Sequence, residues 1–87
     1  MTEIPYHRLR GLTARKLIQA LEKDGFQFDH QRGSHQVYYH PDGRRVVVAF
    51  HHPGQAFPRK TLKDIFDDTG WTLEDLKRLK LIPKRGL

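Results

Sequence analysis

The chain of 87 residues contains no cysteine. Disulfides and thiolate metal ligands are therefore excluded, and a reducing cytoplasm is the expected setting. No apolar run approaches the roughly 18 residues that a membrane-spanning helix needs, so no membrane partner is expected. The opening Met1-Thr2-Glu3-Ile4-Pro5 lacks the basic-then-apolar layout of a secretion signal. Internal repeats and low-complexity segments are missing as well. Acidic residues are scarce: 10 Asp and Glu face 16 Lys and Arg, a net charge of +6. From His30 to Lys60 only Asp42 opposes Arg32, Arg44, Arg45, Arg59 and Lys60, and no acid follows Asp75. A polyanion is the partner class that such a distribution favours.

Metal chemistry finds little support in the pattern, although there are six histidines. His51 and His52 are adjacent, so an extended segment points them to opposite sides. Neither long helix carries a His-x-x-x-His pair, and no carboxylate cluster lies near. No metal and no small-molecule cofactor is expected.

What is present reads as one small domain. Thr13 is an N-cap, and Ala14 to Asp24 follows with Ala14, Leu17, Ile18 and Leu21 on one helical face. Gly25 fits a left-handed stop. Three strands with short turns come next, at Phe26–Gln31, His35–His40 and Arg44–Phe50. Connections this short favour an antiparallel meander. In the second strand His35, Val37 and Tyr39 share a face, with Tyr39 expected in the core. Gln36, Tyr38 and His40 are expected on the open face. Val46, Val48 and Phe50 form one stripe of the third strand. Pro58 suits a first helical turn, and Lys60 to Thr69 is the second helix. Thr72, paired with Asp75, caps a short third helix, Leu73 to Lys80, whose Leu73, Leu76 and Leu79 cover the core. The expectation is an α+β sandwich, α-β-β-β-α, with helices on one face of a three-stranded antiparallel sheet plus an extra short C-terminal helix. Residues 1–12 read as an N-terminal arm, 13–80 as the domain and 81–87 as a basic tail.

His35 is the residue on which a chemical reading turns. It stands where the Gly33-Ser34 turn meets a strand, three residues after Arg32. RNA carries its own nucleophile, the 2′-hydroxyl. Cleavage then needs a base for that proton, an acid for the leaving 5′-oxygen and cations for the phosphate. Imidazole gains and loses a proton near neutral pH and can supply either transfer. Arg32, Arg44, Arg45 and Lys60 are the candidate phosphate-binding cations. Ser34 is explained by turn chemistry, since no His–acid relay accompanies it. Pro53-Gly54 lacks the glycine repeat and lysine of a phosphate loop. Two other readings stand beside the nuclease: a non-catalytic RNA-binding module, and a protein-interaction module whose basic face meets an acidic partner.

Three stretches together carry a family resemblance: Leu17-Ile18-Gln19-Ala20-Leu21-Glu22-Lys23-Asp24-Gly25-Phe26, then Arg32-Gly33-Ser34-His35, then Tyr39-His40-Pro41-Asp42-Gly43-Arg44-Arg45-Val46. With Thr61-Leu62-Lys63-Asp64-Ile65, they resemble the HicA (YcfA-like) toxins of bacterial toxin–antitoxin systems. The likeness runs from about Leu12 to Leu79. It implies a fold similar to double-stranded-RNA-binding domains, metal-independent endoribonuclease cleavage of mRNA that inhibits translation, and neutralisation by a HicB-type antitoxin. The family's catalytic histidine falls on His35. The chain departs from the family where Pro58 is followed by Arg59-Lys60 rather than Gly. It departs again where His51-His52-Pro53-Gly54-Gln55 lacks the usual lysine.

Overall fold

A computed structural model describes residues 4–82. After a 3-10 turn at Tyr6–Leu9 come α1 (Ala14–Asp24), β1 (Gln27–Arg32), β2 (His35–Tyr39), β3 (Arg45–Ala49), α2 (Arg59–Thr69) and α3 (Leu73–Arg78). The strands form one antiparallel sheet in the order β1-β2-β3. This is the expected α+β arrangement, and its order fits a double-stranded-RNA-binding domain with one added helix. The tail expected over 81–87 lies outside the described residues from position 83 onward, as do the first three residues of the arm.

The helix ends follow their local chemistry. The Thr13 side chain accepts from the Lys16 amide, and Gly25, at φ +108°, stops α1. The preceding donors at the α1 N-terminus are met by the loop after β3: Ala14 N–H donates to Gln55 O at 2.9 Å and Arg15 N–H to Pro53 O at 3.0 Å. Thr72 and Asp75 form a reciprocal capping box on α3. Pro58 is the N-cap of α2, in extended backbone, rather than part of its first turn. It lacks an N–H, so standing at the cap leaves no donor unmet there.

The core lies between the helices and the inner face of the sheet. Leu17, Leu21, Phe26, Val46, Val48 and Leu76 are sealed from solvent, and Leu62, Ile65, Phe66 and Trp71 join them. Leu9 and Leu12 of the expected arm belong to the same cluster.

The face assignment of β2 is the main correction. Tyr38 is 3% exposed and sits in the core, whereas Tyr39 is 42% exposed. Alternation along a strand fixes which residues share a face, not which face is covered. The register decides: Tyr38 lies opposite Val46 and Gln36 opposite Val48, so these pairs face the helices. His35, Val37 and Tyr39 therefore lie on the open face, opposite Ala49, Val47 and Arg45. Every residue of β1 is exposed. It is an edge strand, and Phe28, 52% exposed, rests edge-on against Tyr38 without a helix above it.

One carboxylate ties the elements together. Asp24, at the α1 C-terminus, accepts from Trp71 Nε1 at 2.9 Å and from Arg78 Nη2 at 2.8 Å, and pairs with Arg44 Nη1 at 3.2 Å. Its backbone carbonyl receives His40 Nε2 at 2.8 Å. Burial pushes the Asp24 carboxyl up, but the Trp71 and Arg78 hydrogen bonds and the Arg44 and Arg78 charges outweigh that and hold it low. His40 thus points to the helix side, edge-on to Phe26, not to the open face.

Two outcomes follow for stability. A group held low in the folded state stabilises it above the unfolded carboxylate value near 3.9, and that stability is lost as pH falls through the folded value. Asp24→Asn is expected to remove about 1–3 kcal/mol at pH 7 and to flatten the acid limb of stability against pH, read by urea unfolding from pH 7 to pH 2. Gly25→Ala would force a side chain at positive φ and bring its Cβ to 2.8 Å from His40 Nε2. A loss of about 1–3 kcal/mol is expected in the same measurement.

Candidate functional site

The site is built on the β1–β2 hairpin. Gln31, Arg32, Gly33, Ser34 and His35 form a two-residue turn with its flanking pairs, Arg32 directly opposite His35. Gly33 takes φ +59° while Ser34 does not enter the positive region, the pattern of a turn with glycine at its first central position. The Ser34 carbonyl accepts from Phe50 N–H at 2.7 Å, so β3 braces the turn from the other side.

A chain of side-chain hydrogen bonds stiffens this end of the sheet from beneath. The Tyr38 hydroxyl donates to Gln36 Oε1 at 2.7 Å, Gln36 Nε2 to Gln31 Oε1 at 3.3 Å, and Gln31 Nε2 to the Gly33 carbonyl at 2.9 Å. The chain runs from a buried tyrosine to the turn that carries His35. These supporting residues were not singled out from the sequence, because their roles depend on which face is covered. The alternation of Gln31, Gln36 and Tyr38 around a Gly-Ser turn is the only sequence signal that points to them.

His35 is exposed at the first position of β2. Among the described residues its ring has no hydrogen-bonding or ion-pair partner. Arg32 is exposed on the same open face, and directly opposed residues bring their Cβ atoms to about 4.5–5.5 Å. Arg45 is on that face too, its guanidinium 5.9 Å from the centre of the Tyr39 ring. It lies four positions along the strand from His35, about 13 Å away at the usual rise. Between them Val37, only 4% exposed, and Val47 make an apolar floor.

Arg44 and Lys60 stand elsewhere. The Arg44 guanidinium donates through Nε to Asp42 at 2.8 and 3.0 Å and through Nη1 to the Thr69 carbonyl at 2.6 Å, and it lies over the Phe26 ring at 4.9 Å. Those bonds, led by the Asp42 hydrogen bond, raise its already high pKa. Arg44 is therefore a structural cation, joining the β2–β3 turn to the end of α2. Lys60 is exposed in the first turn of α2, across the sheet from the open face. The register brings together His35, Arg32 and, farther along, Arg45, and separates them from Arg44 and Lys60.

His51 and His52 are held in a closed loop. Gln55 Oε1 accepts from both of their amides, and its Nε2 donates to the Ala49 carbonyl at 2.8 Å. Among the described residues no group of three or more histidines and carboxylates could hold a metal ion. None of the described helices is long and apolar enough to cross a membrane.

The register also exposes a second imidazole. Between Phe28 and His30 the β1–β2 pairing slips by one residue, so Asp29 and His30 together oppose Val37. His30 Nδ1 is 2.6 Å from Asp29 Oδ2. Counting back from Arg32, simple alternation places His30 on the face of Arg32 and His35. The bulge shifts the half of the strand before it, Gln27 and Phe28, and sets Asp29 beside His30; no residue in Phe28-Asp29-His30 announces a bulge in the sequence.

A family model described as the HicA toxin of bacterial toxin–antitoxin systems matches residues 14–71, more than half of the chain. The chain belongs to the HicA toxin family. The HicA match begins at the first residue of α1 and ends at Trp71, which donates to Asp24, so it encloses the whole sheet and the His35 turn. Leu9 and Leu12, which complete the HicA core here, precede it, and α3 follows it. Membership makes this chain a component of a toxin–antitoxin system, whose other component is an antitoxin. No curated protein sequence matches the chain.

Proposed function

We propose that this HicA-family chain is a metal-independent endoribonuclease that cleaves mRNA and so inhibits translation, and that a HicB-type antitoxin restrains it. The observation that carries the reading is the His35 ring, exposed on a braced hairpin and directly across from Arg32. An imidazole in that setting can take or give a proton at a phosphodiester while the guanidinium offsets phosphate charge. Arg32 and Arg45, with Tyr39 as a stacking surface, give the open face the composition of a single-strand RNA platform. Arg44 supports this platform from below through Asp24 and Asp42. Lys60, on α2, would meet only a strand that wraps past the sheet.

A HicB-type partner would have reason to cover the same face. Partly exposed Val47 and exposed Tyr39 are apolar surface flanked by cations, which suits an acidic protein with an apolar anchor. The working compartment in this reading is the cytoplasm, where mRNA is translated.

Induced expression of the wild-type chain is expected to arrest growth and fragment mRNA, while His35→Ala loses both, with cleavage down about 10²–10⁴-fold. Equal arrest by the two proteins would remove His35 from the mechanism. RNA bound without cleavage by the wild type would leave a non-catalytic module. With His35→Ala as an inert host, RNA affinity is expected to fall with salt. Arg32→Ala or Arg45→Ala should each reduce the log–log slope by about 0.7. Arg44→Ala is expected instead to lower the unfolding midpoint.

A further inference from the structure

We infer that His30 is the second proton-transfer residue of this site, the general acid that serves the leaving 5′-oxygen while His35 serves the 2′-hydroxyl. The inference rests on the nuclease reading and adds the residue that completes it. Three observations carry it. His30 lies opposite Val37, on the face of Arg32 and two positions along β2 from His35. A diagonal pair of this kind has its backbone positions about 7–8 Å apart, near enough for two long side chains to flank one phosphate. Arg32 completes the triangle, directly opposite His35 and two residues after His30. The bulge inserts Asp29 next to His30, opposite the same Val37.

The third observation is the Asp29 carboxylate, 2.6 Å from His30 Nδ1. A carboxylate only accepts, so Nδ1 carries the proton and the ring's orientation is set. Nε2 is the nitrogen left for a substrate. A doubly protonated His30 keeps Nδ1–H on Asp29 and presents Nε2–H outward, which is the arrangement an acid requires. Both side chains are about half exposed, at 52% each, and no core contact accounts for the pair.

The step balances without water or metal. An imidazole nitrogen of His35 takes the 2′-hydroxyl proton, and the freed oxygen pair forms the 2′-oxygen–phosphorus bond. The bond from phosphorus to the 5′-oxygen breaks, its electron pair stays on that oxygen, and the proton from His30 Nε2 joins it. The products are a 2′,3′-cyclic phosphate and a 5′-hydroxyl end. His35 leaves the step protonated and His30 neutral, and exchange with solvent resets both.

The test compares wild type, His30→Gln and Asp29→Asn on two RNA substrates. One has an ordinary 5′-oxygen at the scissile bond. The other has a bridging 5′-sulfur, a leaving group that needs no proton. His30→Gln is expected to slow the oxygen substrate about 10²–10⁴-fold but to cleave the sulfur substrate within a few-fold of wild type. Asp29→Asn should show the same pattern more weakly, and His35→Ala should be slow on both. Thermal unfolding of each variant checks that the fold is kept. Full activity of His30→Gln on both substrates would overturn the proposal and leave the nuclease reading intact. Equal loss on both would also overturn it, since a merely structural residue gives no sulfur rescue. A wild type that cleaves neither substrate would overturn the nuclease reading and this proposal with it.

Discussion

The fold depends on a single carboxylate, Asp24, placed where a negative charge is least welcome. The C-terminal end of a helix carries partial negative charge, and Asp24 is the last residue of α1. Two arginines and an indole N–H gather around it from the β2–β3 turn, from α3 and from the segment between α2 and α3. Each of those elements contributes its donor only if it sits correctly against the others. The hub therefore holds three separate elements to the end of α1. The same Arg44 that answers Asp24 reaches the last carbonyl of α2 at Thr69, so the sheet and both neighbouring helices share one set of bonds.

That arrangement divides the molecule into two sides with different work. On the helix side the polar groups are engaged: Asp24, Arg44, His40 and Trp71 satisfy one another, and no described buried side-chain polar atom lacks a partner. On the open side the His35 and Arg32 side chains make no bond to another described residue, and Arg45 meets only a tyrosine ring. Side chains satisfied internally stabilise the fold, and side chains left facing water are available to a partner. The Tyr38–Gln36–Gln31 chain connects the sides, carrying the rigidity of the core out to the turn beneath the exposed imidazole.

Much of the scaffold was legible in the sequence, and the reason is local. Thr13, Gly25, the Thr72–Asp75 box and the Gly33-Ser34 turn each act within a few residues, so composition and spacing suffice to place them. The face of β2 was not legible, since Val37/Tyr39 and Gln36/Tyr38 alternate equally well and only the pairing with Val46 and Val48 chooses between them. Arg44 and Arg45 look alike in a chain of letters. One is opposite Tyr39 on the open face, while the other precedes the strand and turns toward Asp24 and Asp42, acids 20 and 2 residues away. Long-range ion pairing is invisible to periodicity, so the division of labour between adjacent arginines could emerge only from the fold.

The bulge at Asp29 has a further meaning for how such a hairpin can vary. From His30 to the turn, β1 and β2 keep one uninterrupted register, and below the bulge, at Gln27 and Phe28, they keep another. Loss of the surplus residue would join the two registers without changing a partner, Phe28 still opposite Tyr38 and His30 still opposite Val37. The strand thus absorbs or sheds one residue at that point while every paired position, from its start to the tip, keeps its partner.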